Sequence, residues 1–210
     1  MKLTAHTFVS LDGVMQGPGG SDEDTTGGFE RGGWLVPLAD ESFGAIVDGW
    51  FATAEALLLG RTTYEMMHPY WSAVTDPGNP IATAMNQLPK YVVSSRDGEL
   101  DWANSTQLAG DPVKAVAQLK SRPGGELQIH GSHQLVRTLH DAGMIDEYRV
   151  LIFPVVVGKG KRLFDPGAVP SGFTVVSSST TPSGLVSLYL RPAPFRTGYL
   201  GVEEGREVEP

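Results

Sequence analysis

Three short stretches combine glycine, hydroxyl and cationic side chains in the way that holding an anion requires. Gly60, Arg61, Thr62 and Thr63 follow an apolar run at residues 56–59. Gly131, Ser132, His133 and Gln134 follow a second run ending near residue 130, and Ser94, Ser95 and Arg96 close a third that begins at Lys90. A strand that ends in glycine and opens a helix leaves backbone N–H groups unpaired at the positive end of the helix dipole, where a phosphate can be held. Threonine hydroxyls and the arginine fork add donors suited to phosphate oxygens. Taken alone, the first stretch also fits a plainer assignment, with Gly60 a turn, Thr62 an N-cap and Arg61 a solvated charge. In open α/β sheets, however, ligands bind outside the carboxyl ends of the strands, so three such ends converge on one place and favour the anion site.

Other chemistries find little support. The chain has no G-x-G-x-x-G after a strand, no G-x-x-x-x-G-K-[ST] phosphate loop and no G-x-S-x-G nucleophile elbow. The basic glycine-rich stretch at residues 158–162 has no helix pattern after it and reads as a solvated turn. His130 and His133 straddle a turn without metal-site context, so no metal is expected. Three acids are candidates for proton relay or substrate orientation: Asp12, just past the first strand, and Asp40 and Glu41, which open a helix. Acids so placed also serve as turn or capping residues.

The elements that must position these groups alternate. Residues 2–10 read as a strand, with Leu3, Ala5 and Thr7 set against Lys2, Thr4 and His6. A long glycine-rich segment, 12–34, follows; Val14, Met15, Phe29 and Trp34 give it something to close with, so it reads as a lid. Helical spacing of Phe43, Ile46, Val47, Trp50 and Phe51 predicts a helix over 40–51. A strand at 56–59, a helix at 62–68 ended by Pro69, a strand at 90–95, a helix at 112–121 and a further strand, glycine turn and helix complete the middle. Three late strand-like runs without a long helix between them predict antiparallel strands at the end of a mostly parallel α/β sheet. Residues 192–210 read as a peripheral tail to a domain at 1–191.

With 210 residues, 40% hydrophobic and 19% charged, the chain suits one soluble domain. A net charge of −8 argues against nucleic acid or an anionic membrane surface as partner, while leaving room for a phosphorylated small molecule. The absence of cysteine excludes disulfides, thiolate zinc and thiol catalysis. No apolar stretch approaches the roughly 20 residues of a membrane span. The cytoplasm is the expected compartment.

In order along the chain, "FVSLDGVM", "GGW", "LLLGRTTYE", "KYVVSS", "IHGSHQLV" and "PVVVGKGKRLF" resemble the dihydrofolate reductase superfamily. The likeness is greatest to the branch similar to the carboxy-terminal reductase domain of the bacterial riboflavin-biosynthesis deaminase/reductase. The resemblance implies a dihydrofolate reductase-like three-layer α/β sandwich, NADPH as cofactor and a homodimer. It implies that Gly60, Arg61 and Thr62 hold cofactor phosphates, that Ser94, Ser95 and Arg96 surround the adenosine 2′-phosphate, and that Gly131, Ser132, His133, Gln134 and Leu135 receive the pyrophosphate. Asp12, with Asp40 or Glu41, would orient substrate or relay a proton, and Val14 and Trp34 would contact substrate. Trp34 and Pro37 keep a folate-type step, but Asp40 follows one residue later than that pattern has it, which points away from dihydrofolate. The implied activity is NADPH-dependent reduction of a small heterocyclic C=N or C=O compound; the alternative is a protein that binds NADPH or a heterocycle on the same scaffold without turnover.

Overall fold

Alternating side chains from Lys2 to Ser10 build β1 (Lys2–Ser10), and the computed structural model, which describes residues 1–203 and 206–208, puts that strand in the interior of an eight-stranded sheet. Parallel to it run β2 (Ala54–Gly60), β3 (Lys90–Val93), β4 (Ser105–Leu108), β5 (Glu126–His130) and β6 (Glu147–Phe153). β7 (Gly172–Thr180) and β8 (Val186–Ala193) finish it by antiparallel pairing, in the order β4-β3-β2-β5-β1-β6-β8-β7. Helices α1 (Glu41–Phe51), α2 (Arg61–Ala73) and α3 (Pro80–Gln87) bury Trp50, Phe51, Tyr64 and Met85 against one face. Helices α4 (Pro112–Lys120) and α5 (His133–Asp141) bury Val116, Leu119, Leu135, Val136 and Leu139 against the other. The mostly parallel α/β sheet with antiparallel late strands, expected from the alternating pattern, and the three-layer arrangement implied by the resemblance are therefore the ones observed.

Several local expectations differ. α2 runs through Pro69 to Ala73 instead of ending at residue 68. Proline removes one helical donor, but Glu65, whose carbonyl would have received it, is exposed along with Pro69, so water can replace the bond. α3 lies inside what reads as a Pro/Gly loop, with Asn79 capping the amide of Ala82 and Pro80 at the first turn. β4, with the polar sequence STQL, sits at the sheet edge, where burial imposes no apolar pattern. β8 continues to Ala193, two residues into the segment assigned as tail, and β9 (Gly201–Glu203) and β10 (Arg206–Val208) pair as a separate ladder.

The polar side of β1 is also buried. Thr4 and His6 are 0% and 2% exposed because α1 covers them. They join a polar seam from three adjacent strands: Gln128 donates to the Trp50 carbonyl (2.7 Å) and to Glu126 (2.9 Å), and His130 is hydrogen-bonded to Gln128 (3.0 Å). Arg149 on β6 reaches Glu126, Glu147 (3.1 Å) and Thr53 (3.2 Å), and its guanidinium lies 5.0 Å from the Tyr189 ring centre. The rings of Phe51, His130 and His6 stack at 4.5 and 4.8 Å.

Burial holds both histidines neutral, bringing His130 down to about 3 and His6 well below its ordinary range, with the Arg149 charge adding to both shifts. The unfolded chain, with ordinary histidines, binds the extra protons, so their contribution is complete above about pH 6.5 and is lost as pH falls toward 3. Each unit of acidification in that window is expected to cost about 1.4 kcal/mol per histidine. Urea unfolding at pH 7.5 and 4.5 measures this, and equal midpoints would contradict it. His130→Gln should flatten part of the slope.

Candidate active site

α1, α3 and α4 each begin with a side-chain cap, from Asp40, Asn79 and Asp111. α2 and α5 do not: Gly60 and Ser132 stand at their N-cap positions with no side-chain cap bond. These two helices start from β2 and β5, which are neighbours in the sheet, so two uncapped amino ends lie side by side at the carboxyl edge. Ser132 joins them. Its hydroxyl accepts the Gly60 N–H (2.9 Å), and its own N–H donates to Thr63 Oγ1 (3.2 Å). Consecutive left-handed residues, Gly131 at φ 62° and Ser132 at φ 57°, turn the chain into α5. A non-glycine residue held in that conformation is a local strain of the kind that collects at binding sites.

Beside them, Arg61 pairs with Glu65 (2.6 Å) and donates to the carbonyls of Gly98 (3.4 Å) and Glu99 (3.1 Å). Arg96 reaches the other oxygen of Glu65 (3.4 Å). The β2 and β3 ends therefore share one charged patch. Ser94 is buried and spends its hydroxyl on the Arg96 backbone, so of the two serines only Ser95 is exposed, as is Thr62 on α2. On α5, Gln134 is exposed and Leu135 buried, while His133 pairs with Asp165 (2.6 Å). His133, Asp165, Gln16, Phe29, Lys159 and Lys161 line a cleft of about 370 Å³. A larger cavity of about 500 Å³ lies at the opposite end of the sheet, between α1 and α3, and no titratable side chain lines it. The chemistry points to the smaller one.

The glycine-rich segment is docked. Val14 forms an antiparallel bridge with Arg162 and is fully buried with Phe29 and Val157, so in the docked segment its side chain packs inside the loop. Trp34 stacks edge-on against Phe153 (5.5 Å) and donates its indole N–H to the Gln16 carbonyl (2.9 Å). The stretch at residues 158–162 is exposed from Gly158 to Gly160, as a solvated turn would be, but its end is tied to the glycine-rich segment. The Lys161 N–H donates to Gln16 Oε1 (3.0 Å), the Lys161 ammonium pairs with Asp24 (2.6 Å), and Arg162 donates to the Asp12 carbonyl (2.8 Å).

Asp12 clamps this assembly. Its carboxylate accepts from the Ser10 hydroxyl (2.7 Å), the N–H groups of Val157 (3.0 Å) and Gly158 (2.8 Å), and Arg162 (3.4 Å). Those bonds, that of Ser10 first, hold it far below the usual carboxylate range. An acid so stabilised as its anion is a weak proton acceptor, so what its geometry supplies is a fixed hold on this loop. Asp12→Asn is expected to release the 155–162 stretch, with amide exchange at Gly158 rising about tenfold or more, the scale of a lost bond to a charged acceptor. Unchanged exchange would show the clamp to be idle. Asp40 accepts the Phe43 N–H (2.8 Å), a bond that lowers its pKa, with Ser183 adding to the shift; Glu41 is exposed on the first turn of α1.

Glu65 and Asp165 escaped the sequence reading because nothing local marks them: one is an ordinary i+4 helix acid and the other lies 32 residues from its histidine. Thr63 was legible as a hydroxyl beside Gly60, but its bond to Ser132 spans 69 residues. Among the described residues, no group of three or more His, Cys, Asp or Glu is placed to hold a metal ion. No helix among them is long and apolar enough to cross a membrane.

The chain is 27% identical over 183 residues to the Bacillus subtilis (strain 168) uncharacterized protein YyaP, covering 86% of this chain and 89% of that one. Its fold is similar to that of a putative riboflavin biosynthesis protein from Shewanella sp. PV-4, with a TM-score of 0.66, 20% identity and coverage of 92% and 99%. It is also similar to dihydrofolate reductase from Enterococcus faecalis complexed with NADP(H), with a TM-score of 0.57, 12% identity and coverage of 91% and 96%. The fold is thus dihydrofolate reductase-like. Residues 1–187 match the RibD C-terminal domain, and with that match running from β1 into β8 the chain belongs to the RibD C-terminal domain family.

Proposed function

We propose that this protein is an NADPH-dependent reductase of a small heterocyclic substrate, pterin- or pyrimidine-like, with a reducible C=N or C=O bond. The observation that carries this reading is the pair of adjacent helix ends, α2 and α5, which lack the side-chain caps present on α1, α3 and α4. Such ends favour a bound anion. Gly131 to Leu135 would receive the pyrophosphate, Gly60, Arg61 and Thr62 would flank it, and Ser95 and Arg96, positioned by Ser94, would face the adenosine 2′-phosphate. The NADP(H) bound by the E. faecalis enzyme and the riboflavin-pathway name of the Shewanella protein support the same direction.

Bound NADPH would supply the hydride. The chain would supply geometry and a dry site: Asp12 fixes the loop at 155–162, Trp34 anchors the glycine-rich segment, and that segment would exclude water from bound substrate. Asp40 and Glu41, at the opening of α1, would orient a substrate N–H by accepting its hydrogen bond.

Titration with NADPH and NADH, read by tryptophan emission and energy transfer to the reduced nicotinamide, tests the proposal. Preferential NADPH binding is expected. Binding of neither at millimolar concentration would overturn it. A second reading, a binding protein without turnover, draws on Asp12 and Asp40 having carboxylate oxygens committed within the fold. It predicts NADPH binding with no oxidation in the presence of pterins, pyrimidines, quinones or imines. We further propose a cytoplasmic homodimer in which a second copy covers Val175 and Val176 of β7, 56% and 47% exposed. A single-chain mass in solution would count against the dimer, and export from the cell against the location.

A further inference from the structure

Glu65 stands between Arg61, which would flank the proposed pyrophosphate, and Arg96 at the proposed adenosine end. One carboxylate oxygen takes Arg61 Nε at 2.6 Å and the other takes Arg96 Nη2 at 3.4 Å. The arrangement is unequal. Arg61 is 17% exposed and tied also to the carbonyls of Gly98 and Glu99, whereas Arg96 is 67% exposed and Glu65 itself 45%. The carboxylate is thus an anion already lodged on an arginine pair, with the exposed hydroxyl-bearing Ser95 next to Arg96 in the chain. Arg61, and secondarily Arg96, hold Glu65 below the usual carboxylate range, so it keeps its charge at neutral pH.

We propose that Glu65 sets coenzyme preference, acting as an internal anion that a ribose 2′-phosphate must displace from Arg96. The inference rests on the NADPH reading above and adds a specificity-determining residue to it. A phosphate dianion meets two costs here: Arg96 must leave its carboxylate partner, and the negative charge of Glu65 remains nearby. An unphosphorylated ribose meets neither, and its 2′-hydroxyl can donate to the same carboxylate. Glu65 therefore narrows the margin by which the arginine pair favours NADPH over NADH. Because all three side chains touch solvent, the effect weakens with added salt.

The test compares dissociation constants for NADPH, NADH, 2′,5′-ADP and 5′-ADP with the native protein and with Glu65→Gln, at low and at 0.5 M salt. Glu65→Gln keeps the side-chain shape and removes the charge. The expected result is about tenfold tighter binding of NADPH and 2′,5′-ADP, no gain for NADH or 5′-ADP, and a smaller difference at high salt. Asp48→Asn, which removes an exposed charge from the last turns of α1, away from the two arginines, is the control and should leave the NADPH:NADH ratio where it is. An unchanged or weaker affinity for NADPH in Glu65→Gln, with the native protein binding it, would overturn the inference alone and show that Glu65 merely positions Arg61. Failure of both proteins to bind any of the four would overturn the cofactor reading and this inference with it.

Discussion

Gln134→Glu is expected to abolish most NADPH binding while leaving the protein as stable as before or slightly more so. Gln134 is the second residue of α5, exposed, on a helix whose first turn has no side-chain cap. A carboxylate there faces the positive helix end, an interaction worth roughly 0.3–1 kcal/mol. The same charge would confront the pyrophosphate. At about 5 Å and an effective dielectric near 20, two unit charges repel by about 3 kcal/mol, and each 1.4 kcal/mol is tenfold in affinity. A loss of one to two orders of magnitude in NADPH affinity, with an unchanged or higher melting temperature, is the expected pair of results. The opposed signs matter, because a variant that bound weakly only through misfolding would lose both. Undiminished NADPH affinity would remove α5 as the pyrophosphate site.

Arg149→Met should produce the largest loss of stability, about 3–5 kcal/mol, the usual cost of removing one partner from a buried ionic group. The Arg149 side chain is 7% exposed and the carboxylates of Glu126 and Glu147 are 12% and 6% exposed. Lys2 would remain, bonded to Glu147 at 2.7 Å, leaving Glu126 with a 4.0 Å contact to the same ammonium. Two acids beneath α1 would then share one cation at the sheet's amino edge. Burial alone would raise the pKa of Glu147, but Lys2 and then Arg149 outweigh it and hold the group below its ordinary range. In the native chain this contribution is present above the ordinary glutamate pKa and fades as pH falls through the lowered one. In the variant the carboxylates lose that support, so its deficit should be greatest near pH 8 and shrink toward pH 5 as they protonate. Urea midpoints across that range measure it. Adding Glu126→Gln and Glu147→Gln should recover much of the loss, since an uncharged cluster no longer needs its cation. A single-variant loss below about 1 kcal/mol would mean that water reaches this cluster.

Strong local patterns carried most of the architecture. The apolar spacing of α1, the glycine turn before α5 and the order of strand and helix were each written within a dozen residues. α3 was less visible because it is short and lies between prolines and glycine, although Asn79 and Pro80 are an ordinary helix opening. β4 was hidden by its polarity, and the burial of Thr4 and His6 could not be read from alternation, since a sheet covered on both faces hides polar positions as well as apolar ones. The site divided in the same way. Glycines, hydroxyls and cations at strand ends were legible. The clamp by Asp12 on amides 145 and 146 residues away, and the capture of Arg61 and Arg96 by one glutamate, depend on tertiary placement. The burial of Val14 was hidden for the same reason: its neighbour Arg162 is remote in sequence.

The interior position of β1 has a consequence for how the protein is made. Of the described strands, β1 leaves the ribosome first, yet its partners among them are β5 and β6, so Lys2 waits for Glu126 and Thr4 for Glu147. At 5–20 residues per second that delay is about 6–25 s, during which β2, β3 and β4 can already assemble with one another. Throughout it, the nascent chain carries an unpaired strand bearing Leu3, Ala5 and Val9, all destined for the core. Synthesis stalled before residue 126 would therefore yield a partial sheet beside an orphan strand, a natural client for a chaperone, and closure around β1 would be a late event of translation.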